Sequence, residues 1–300
     1  MSARPSHRED AVIKRLVRRL RRPGPDVVAG IGDDCAVVRG PVRGVRLLLK
    51  TDCVVEQRHF LPTHPARAVG WKAACRAVSD IAACGGVPRF ALVTCVVRRG
   101  QTGRWLDDLY RGIEVAGREF GFYVVGGELS RTDGPAVINV ALTGEVSARN
   151  LVRRSGGRPG DVLFVTGVLG RSLASGWHLR FRPRLVEARW LTENFRLRAM
   201  MDLSDGLAAD LPRLAAAGRT GFQLDPQAVP RRRGATLAQA LGEGEDFELL
   251  LALAPREAGR VEVAWAKKFP RVRLTRIGRL APAGVAEGLG QARGFDHFSP

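Results

Sequence analysis

The chain has 300 residues, of which 45% are hydrophobic, and a formal net charge of +18. This length suits one large domain or two of average size, and the hydrophobic content is enough to bury real cores. No apolar run is long enough to cross a membrane, and the N-terminal residues lack the apolar core of a secretory signal. Five cysteines, all in the first third, form no CxxC pair, so we expect reduced thiols in a cytoplasmic protein.

The positive charge alone would favour a nucleic-acid partner. However, only five of the 48 basic residues are lysines, and the arginines are spread along the whole chain. No basic segment is interleaved with aromatic residues of the kind that stack on bases. We therefore expect no nucleic-acid partner, although a positive field would help to capture phosphorylated ligands.

Apolar periodicity predicts alternating helices and strands through the first half of the chain. The predicted helices span 8–22, 66–84 and 103–120, and the predicted strands span 35–38, 45–49, 90–97, 122–125 and 136–146. The helix at 8–22 is amphipathic, with arginines opposite an apolar face that includes Ile13, Leu16 and Leu20. The helix at 66–84 is rich in alanine, which allows close approach to a sheet or to a second helix.

A polar segment rich in Gly and Pro, residues 153–161, marks the predicted boundary between domains 1–150 and 151–300. The predicted strands beyond it are 162–166, 221–224, 247–253 and 272–277, and the predicted helices are 171–179, 206–217, 234–241 and 256–268. The alternation is mixed rather than a strict βαβ repeat, which predicts an α+β fold.

Carboxylates recur beside Gly, Ser or Thr at the ends of predicted elements. The first pair, Asp33 and Asp34, follows two glycines and precedes an apolar strand, where a simple Gly-Asp turn is the alternative. The whole set comprises Asp33, Asp34, Asp52, Asp80, Glu128, Asp202 and Asp205. Buried carboxylates are costly unless they are paired or bound to metal. Mg²⁺ prefers such oxygens, with phosphates supplying further ligands.

Asp80 strengthens the metal interpretation, because it lies near the C-terminal end of the helix at 66–84, where the helix dipole disfavours an anion. Ser204 and Asp205 have an ordinary alternative as caps of the helix at 206–217. The chain has no zinc-ligand spacing, no Walker A sequence and no GxGxxG. A carboxylate-rich site without those motifs is typical of phosphoryl transfer through several metal ions.

Eight blocks follow one another over nearly the whole chain: GIGDDCAVV at 30–38, TDCVVEQRHF at 51–60, WKAACRAVSDIAACGG at 71–86, VGGELSRT at 125–132, RSGGRPGD at 154–161, DLSDGLAADL at 202–211, GEDFEL at 244–249 and GFDHF at 294–298. In this order they resemble the thiamine-monophosphate kinases, a family of the aminoimidazole-ribonucleotide-synthetase-like superfamily. The resemblance implies a two-domain PurM-like architecture, with an N-terminal mixed sheet and helices that form a homodimer, and a C-terminal α/β sandwich-like domain.

The resemblance also implies transfer of the γ-phosphate of ATP to thiamine monophosphate, giving thiamine diphosphate and ADP, by direct in-line transfer with several Mg²⁺ ions. The implied metal contacts are Asp34, Lys50, Thr51, Asp52, Asp80, Glu128, Asp202 and Asp205, of which Asp34, Asp52, Asp80 and Asp205 are the expected catalytic set. The implied ATP contacts are Gly127, Glu128, Arg154 and Ser204. The implied contacts with thiamine monophosphate are His59, Glu245 and Phe295.

Three positions depart from the pattern of the family that the chain resembles. Glu128 stands where the family has aspartate, Lys50 where it has a small hydroxyl residue, and Ala77 where it has asparagine. Two alternatives therefore stay open: an ATP-dependent enzyme of the same superfamily with a different acceptor, and a decayed homologue that binds nucleotide or nucleic acid. The blocks around Asp34 and His59 favour the kinase.

Overall fold

The computed structural model describes residues 8–21, 23–101 and 103–298. Its first half contains α1 (Arg8–Val17), β1 (Val27–Ala29), β2 (Ala36–Arg39), β3 (Val45–Val55), α2 (Ala66–Ala83), β4 (Val87–Arg98), α3 (Gly103–Phe120), β5 (Tyr123–Thr132) and β6 (Val137–Ser147). Its second half contains β7 (Val162–Thr166), α4 (Leu185–Asn194), β8 (Leu197–Asp202), α5 (Leu207–Ala217), β9 (Gly221–Leu224), α6 (Leu237–Gly242), β10 (Leu249–Leu253), α7 (Pro255–Lys268), β11 (Leu274–Ala281) and β12 (Ala286–Glu287). The predicted α+β class is confirmed, while the division at 150/151, between β6 and β7, stays a prediction.

The first sheet has six strands in the order β1-β2-β3-β6-β4-β5. Neighbouring strands are antiparallel except β4 and β5, which run parallel and are connected through α3. Two strands are longer than predicted, because β3 pairs with β6 as far as Val55 and β5 pairs with β4 as far as Thr132. The prediction that Asp52 ends a strand is therefore wrong, and so is the prediction that the strand before Gly127 stops there.

The two faces of the first sheet differ in their exposure. Helices α2 and α3 pack on one face, where Leu48, Val93 and Ile138 are fully buried. Successive residues of a strand point to opposite faces, so the alternate positions meet solvent. Their apolar members, which are between 43% and 72% exposed, are Leu49, Phe90, Leu92, Tyr123 and Val125. We call this surface the open face of the first sheet.

The second sheet has six strands in the order β12-β9-β11-β7-β10-β8. Helices α5 and α6 pack on one of its faces, where Leu250 joins their core. On the other face, the adjacent Leu251 joins a core that is shared with α2, α4, α7 and the first sheet. Burial on both faces explains why β10 reads as the unbroken apolar run LLLAL instead of alternating with polar residues.

Helix α2 lies at the centre of the molecule and contacts both sheets as well as α3 and α4. Of its 18 residues, 14 are buried, which explains its many small side chains. The closest approach is to α3, where a Cβ atom added at Gly112 would lie 2.0 Å from the carbonyl oxygen of Arg67. An added Cβ at Gly70 would lie equally close to the carbonyl oxygen of Leu109. The predicted close packing of this helix is confirmed.

Two helix predictions need correction, and one helix and one strand of the second half were missed. Helix α1 ends at Val17 instead of continuing to residue 22, which lies outside the described residues. Its apolar residues Ile13 and Leu16 are exposed. The predicted helix at 171–179 is a series of turns that ends in one 3₁₀ turn, because Gly170, Arg171 and Gly176 adopt positive φ angles. Helix α4 and strand β8 were not predicted, since their mixed sequences show no clear period.

Candidate active site

Three buried carboxylates meet where the two sheets approach each other. Asp34 comes from the loop before β2, Asp80 from the last turn of α2, and Asp202 from the last residue of β8. Each contributes an oxygen, and these oxygens all lie within 4.8 Å of one another, while the residues are no more than 5% exposed. We call these three residues the carboxylate cluster. Its donors are hard anionic oxygens, the type that Mg²⁺ prefers.

The carboxylate cluster is partly neutralised by the chain itself. Arg154 donates two hydrogen bonds to the Asp34 carboxylate, of 3.0 Å from Nε and 2.6 Å from Nη2. Lys50 Nζ lies 2.8 Å from Asp80 Oδ1. Burial, together with the negative charges of Asp202 and Asp52, nevertheless raises the pKa of Asp80 well above its ordinary value.

Asp202 has a weaker partner than the other two carboxylates. Its Oδ2 accepts a hydrogen bond of 2.7 Å from the hydroxyl of Ser79. Burial and the nearby charge of Asp34 raise the pKa of Asp202 to about 6. A divalent cation shared by the cluster would relieve this repulsion, so the residues present fit a magnesium ion.

A second set of charges extends from the carboxylate cluster towards Glu245. Arg76 donates to Asp52 Oδ1 from Nε (3.2 Å) and Nη2 (3.0 Å), and to Glu245 Oε1 from Nη1 (3.1 Å). Burial opposes ionisation of Asp52, but Arg76 and Lys50 outweigh it and lower the pKa of this carboxyl. The fully buried Lys72 reaches the other oxygen of Glu245 at 2.5 Å. Two cations thus fix one carboxylate.

Sequence reasoning missed both of these cations, although the sequence carries a signal for them. Lys72, Arg76 and Asp80 are spaced four residues apart on α2, so they lie on one face of a helix that is otherwise almost apolar. Charged residues at that spacing on a buried helix indicate that the face lines a polar site.

His59 and Phe295 are brought together through the ring of His297, which was not among the predicted site residues. The ring of His297 lies 5.4 Å from that of His59 and 4.8 Å from that of Phe295. The Nδ1 atom of His59 accepts a hydrogen bond of 3.0 Å from the backbone N–H of Val55. Burial and the nearby charges of Arg76 and Lys72 lower the pKa of His59 to about 3, so its ring is neutral at physiological pH.

Asp205 lies apart from the carboxylate cluster. Its Oδ2 accepts from Nη1 of Arg213 at 2.5 Å, and the same guanidinium contacts Asp210 at 3.1 Å and Asp10 of α1 at 3.3 Å. The alternative interpretation of Ser204 and Asp205 as helix caps is wrong, because Gly206 precedes the first turn of α5 and no side chain caps it. The carbonyl of Ser204 instead accepts from the backbone N–H of Glu245.

A cavity of about 2320 Å³ connects most of these groups, but Glu245 and Phe295 are not among the described residues that line it. It is large compared with the ~300–1,000 Å³ of a typical small-molecule site, so it has room for two substrates. The described residues that line it include the carboxylate cluster with Lys50, Thr51, Asp52, His59, Arg76, Arg154, Ser204, Asp205 and His297.

Gly127 and Glu128 lie on the far edge of the first sheet. Strand β5 is separated from β3 by β6 and β4, which places the Cα atom of Glu128 roughly 14 Å from that of Cys53 in the same row of the sheet. Glu128 accepts from the hydroxyl of Ser130 at 3.0 Å, and both side chains are exposed. Within one chain these residues therefore do not join the carboxylate cluster.

Thr51 is also turned away from the carboxylate cluster, because neighbouring residues of β3 point to opposite faces. Lys50 and Asp52 point towards α2, whereas Thr51 Oγ1 donates to Asn139 Oδ1 at 2.9 Å on the open face. The predicted metal contacts are thus divided between two sides of one strand.

Comparisons with known proteins give matches to both halves of the chain. Family models described as the N-terminal and C-terminal domains of AIR synthase related protein match residues 32–146 and 176–288. Thiamine-monophosphate kinase of Rhodopirellula baltica is 35% identical over 282 residues, which covers 88% of this chain and 87% of that protein. The Salmonella typhimurium protein of the same name is 29% identical and covers 97% of this chain and 98% of its own length.

Solved structures agree with the sequence matches. Thiamine monophosphate kinase from Aquifex aeolicus has a TM-score of 0.75 at 27% identity, covering 95% of this chain and 98% of that one. A structure described as AaThiL complexed with AMPPCP and TMP has a TM-score of 0.80 at 28% identity, covering 96% of both chains. The hydrogenase maturation protein HypE of E. coli, at 19% identity and a TM-score of 0.70, shares the fold.

The two sheets and the carboxylate site between them define a protein of the AIR synthase related class. The two matching models cover most of the chain, one for each half. Within that class, the chain belongs to the thiamine-monophosphate kinase family and is a phosphotransferase. Among the described residues, no helix combines the length and apolar character needed to span a membrane.

Proposed function

We propose that this protein transfers the γ-phosphoryl group of ATP to thiamine monophosphate, forming thiamine diphosphate and ADP. The observation that carries the proposal is the carboxylate cluster, which lies on a cavity with room for two phosphate-bearing molecules. The names of the relatives and the AMPPCP and TMP in the related structure support the choice of substrates.

The carboxylate cluster would hold Mg²⁺, with Asp52 and Asp205 as further acidic residues of the same cavity. Bound Mg²⁺ supplies the positive charge that lets two anionic phosphates approach each other. Asp34, Asp52, Asp80 and Asp205 then act as catalytic residues by positioning charge. They hold the two reactants in line and do not need to transfer a proton.

The acceptor explains why the cavity needs no general base. The nucleophile is a phosphate oxygen of thiamine monophosphate, and a phosphate monoester has a second pKa of about 6. The acceptor is therefore already deprotonated at neutral pH. A neutral His59, whose pKa is about 3, fits this view, because its role would be to contact the acceptor rather than to accept its proton.

The remaining implied contacts divide into two substrate sites. Arg154 and Ser204 lie beside Asp34 and Asp205, where the ATP phosphates would bind. His59 and Phe295 are linked through the ring of His297, and the 43% exposed Phe295 offers a flat surface to the thiamine ring. Glu245, which is held by two cations, completes the acceptor side.

We also propose that two copies pair through the open face of the first sheet. That face exposes a row of large apolar side chains, of which Tyr123 is 72% and Val125 58% exposed. Apolar patches of this kind mark contacts with another protein. Thr51, Gly127 and Glu128 lie on this face or at its edge, so their implied contacts with metal and ATP would be made in the assembled dimer.

The test is product formation from defined substrates. The purified protein is incubated with ATP, Mg²⁺ and thiamine monophosphate, and thiamine diphosphate is separated chromatographically. We expect wild type and Asp133→Asn to make product, since the side chain of Asp133 is 85% exposed and is not among the residues that line the cavity. Asp80→Asn should lose nearly all activity, because it removes one member of the carboxylate cluster.

Two results would contradict the proposal. Release of ADP with other small acceptors, but not with thiamine monophosphate, would indicate another enzyme of the same superfamily. Salt-dependent binding of DNA or RNA without any ATP turnover would indicate a homologue with a decayed site.

A further inference from the structure

The acidic side chains around the cavity differ in whether a basic side chain of the protein contacts them. Of the carboxylate cluster and Asp52 taken together, three carboxylates have a basic side chain within hydrogen-bond distance, and Asp202 has only the hydroxyl of Ser79 among the contacts of the described residues. The ion pairs are Asp34–Arg154, Asp52–Arg76 and Asp80–Lys50.

Lys50 differs from the two arginines in the shape of its charged group, which is a compact ammonium instead of a planar guanidinium. Its Nζ is 2.8 Å from Asp80 Oδ1. A single compact cation therefore lies against an oxygen of the carboxylate cluster, in a place that a bound metal ion would otherwise have.

The backbone fixes Lys50 in this place. It lies in the middle of β3, where the pairing with β6 runs without interruption from Val45↔Ser147 to Val55↔Val137. Its neighbours Leu48 and Val54 on the same face are fully buried. The side chain is only 22% exposed, so the ammonium is directed into the cavity and not along the surface.

We propose that the ammonium of Lys50 occupies one of the cation positions of the carboxylate cluster, so that this protein binds one divalent ion fewer than it would with a neutral residue there. The proposal rests on the proposed function only in taking the cluster as a divalent-metal site. A tethered cation does not dissociate, and it repels a second cation from the oxygens that it contacts. The protein should consequently stay folded when divalent ions are removed.

The test counts bound ions with Mn²⁺ as the probe. Wild type, Lys50→Met and Lys267→Met are dialysed against Mn²⁺ with a non-hydrolysable ATP analogue and thiamine monophosphate, and bound Mn²⁺ is measured by atomic spectroscopy. Methionine keeps the length of lysine without its charge, and Lys267 is an exposed residue at the end of α7. We expect one additional Mn²⁺ per chain in Lys50→Met and the wild-type number in Lys267→Met.

A second measurement uses melting temperature and needs no substrate. In EDTA, Lys50→Met should melt about 5 °C or more below wild type, because it leaves Asp80 buried without its partner. Adding Mg²⁺ should restore most of the lost melting temperature in Lys50→Met. In Lys267→Met, Mg²⁺ should change the melting temperature by no more than it does in wild type. Unfolding of Lys50→Met in EDTA with recovery in Mg²⁺ would support the proposal in the same way.

Equal Mn²⁺ numbers in wild type and Lys50→Met would overturn the inference, since they would mean that Lys50 leaves the site when metal binds. If Lys50→Met does not fold even with Mg²⁺, Lys50→Gln is measured instead, and an unchanged ion count in that variant would have the same meaning. The kinase assay is run in parallel on wild type. Absence of thiamine diphosphate there contradicts the proposed function and leaves the ion count as an independent result.

Discussion

Replacing Gly112 by alanine should destabilise the protein through the contact between α2 and α3. The new Cβ would lie 2.0 Å from the carbonyl oxygen of Arg67, whereas ordinary contact begins at 3.4 Å. The deficit is 1.4 Å against backbone atoms, which cannot rotate away as a side chain does. The two helices must therefore move apart by on the order of 1 Å.

The expected magnitude follows from two opposing effects. Overpacking a buried contact costs ~1–3 kcal/mol, and a clash with helical backbone belongs at the upper end of that range. Alanine is the better helix former by about 1 kcal/mol, which offsets part of the cost. The net loss in the free energy of unfolding is ~2 kcal/mol, or a melting temperature lower by about 4–8 °C.

Gly259→Ala is the matched control, because Gly259 is an exposed interior residue of α7 and an added Cβ would meet nothing within 4 Å. This variant should gain ~0.5–1 kcal/mol from helix propensity alone. Thermal unfolding followed by circular dichroism compares both variants with wild type. If Gly112→Ala melts at or above the wild-type temperature, the account of the α2–α3 contact is refuted. Because α2 carries Asp80, kcat should fall together with stability.

Three further predictions concern the charged groups of the site. Asp202→Asn should raise the melting temperature above that of wild type in EDTA at pH 8. The pKa of Asp202 is raised to about 6, so its ionised form destabilises the fold above that pH. The difference in melting temperature between variant and wild type should therefore shrink as pH falls from 6 towards 4. Arg154→Lys keeps the charge but loses one arm of the fork on Asp34, so the KM for ATP should rise ~10- to 100-fold in steady-state assays. Lys72→Met removes a buried partner of Glu245 and should cost ~3 kcal/mol in urea unfolding, which a result within ~0.5 kcal/mol of wild type would contradict.

The elements with a strong apolar period were predicted with correct bounds. The prediction of α3 at 103–120, β7 at 162–166 and β9 at 221–224 is confirmed, since each shows a clear helical or strand pattern between turn residues. Strand lengths were harder, because β3 and β5 continue past polar residues that pairing with β6 and β4 holds in the sheet. Pairing is a tertiary property, and polarity along one strand does not report it.

The sequence predicted which acidic residues belong to the candidate site, but not which residues they contact. Recurring acidic residues at element ends indicated Asp34, Asp80 and Asp202, which the structure brings together. The pairing of Asp205 with Arg213 depends instead on how α5 begins, which the sequence does not show. Which carboxylates share a cation and which have a protein partner is decided by packing between the two halves of the chain.

The strand order of the first sheet has a consequence for synthesis of the protein. Strand β6 is the last of its six strands along the chain, yet it lies between β3 and β4. When β4 leaves the ribosome, about fifty residues remain before β6 is complete at Ser147. At a synthesis rate of ~5–20 residues per second, the edges of β3 and β4 that later pair with β6 stay unpaired for several seconds. Nascent chains stalled before residue 137 should therefore bind holdase chaperones strongly, and release should coincide with the emergence of β6.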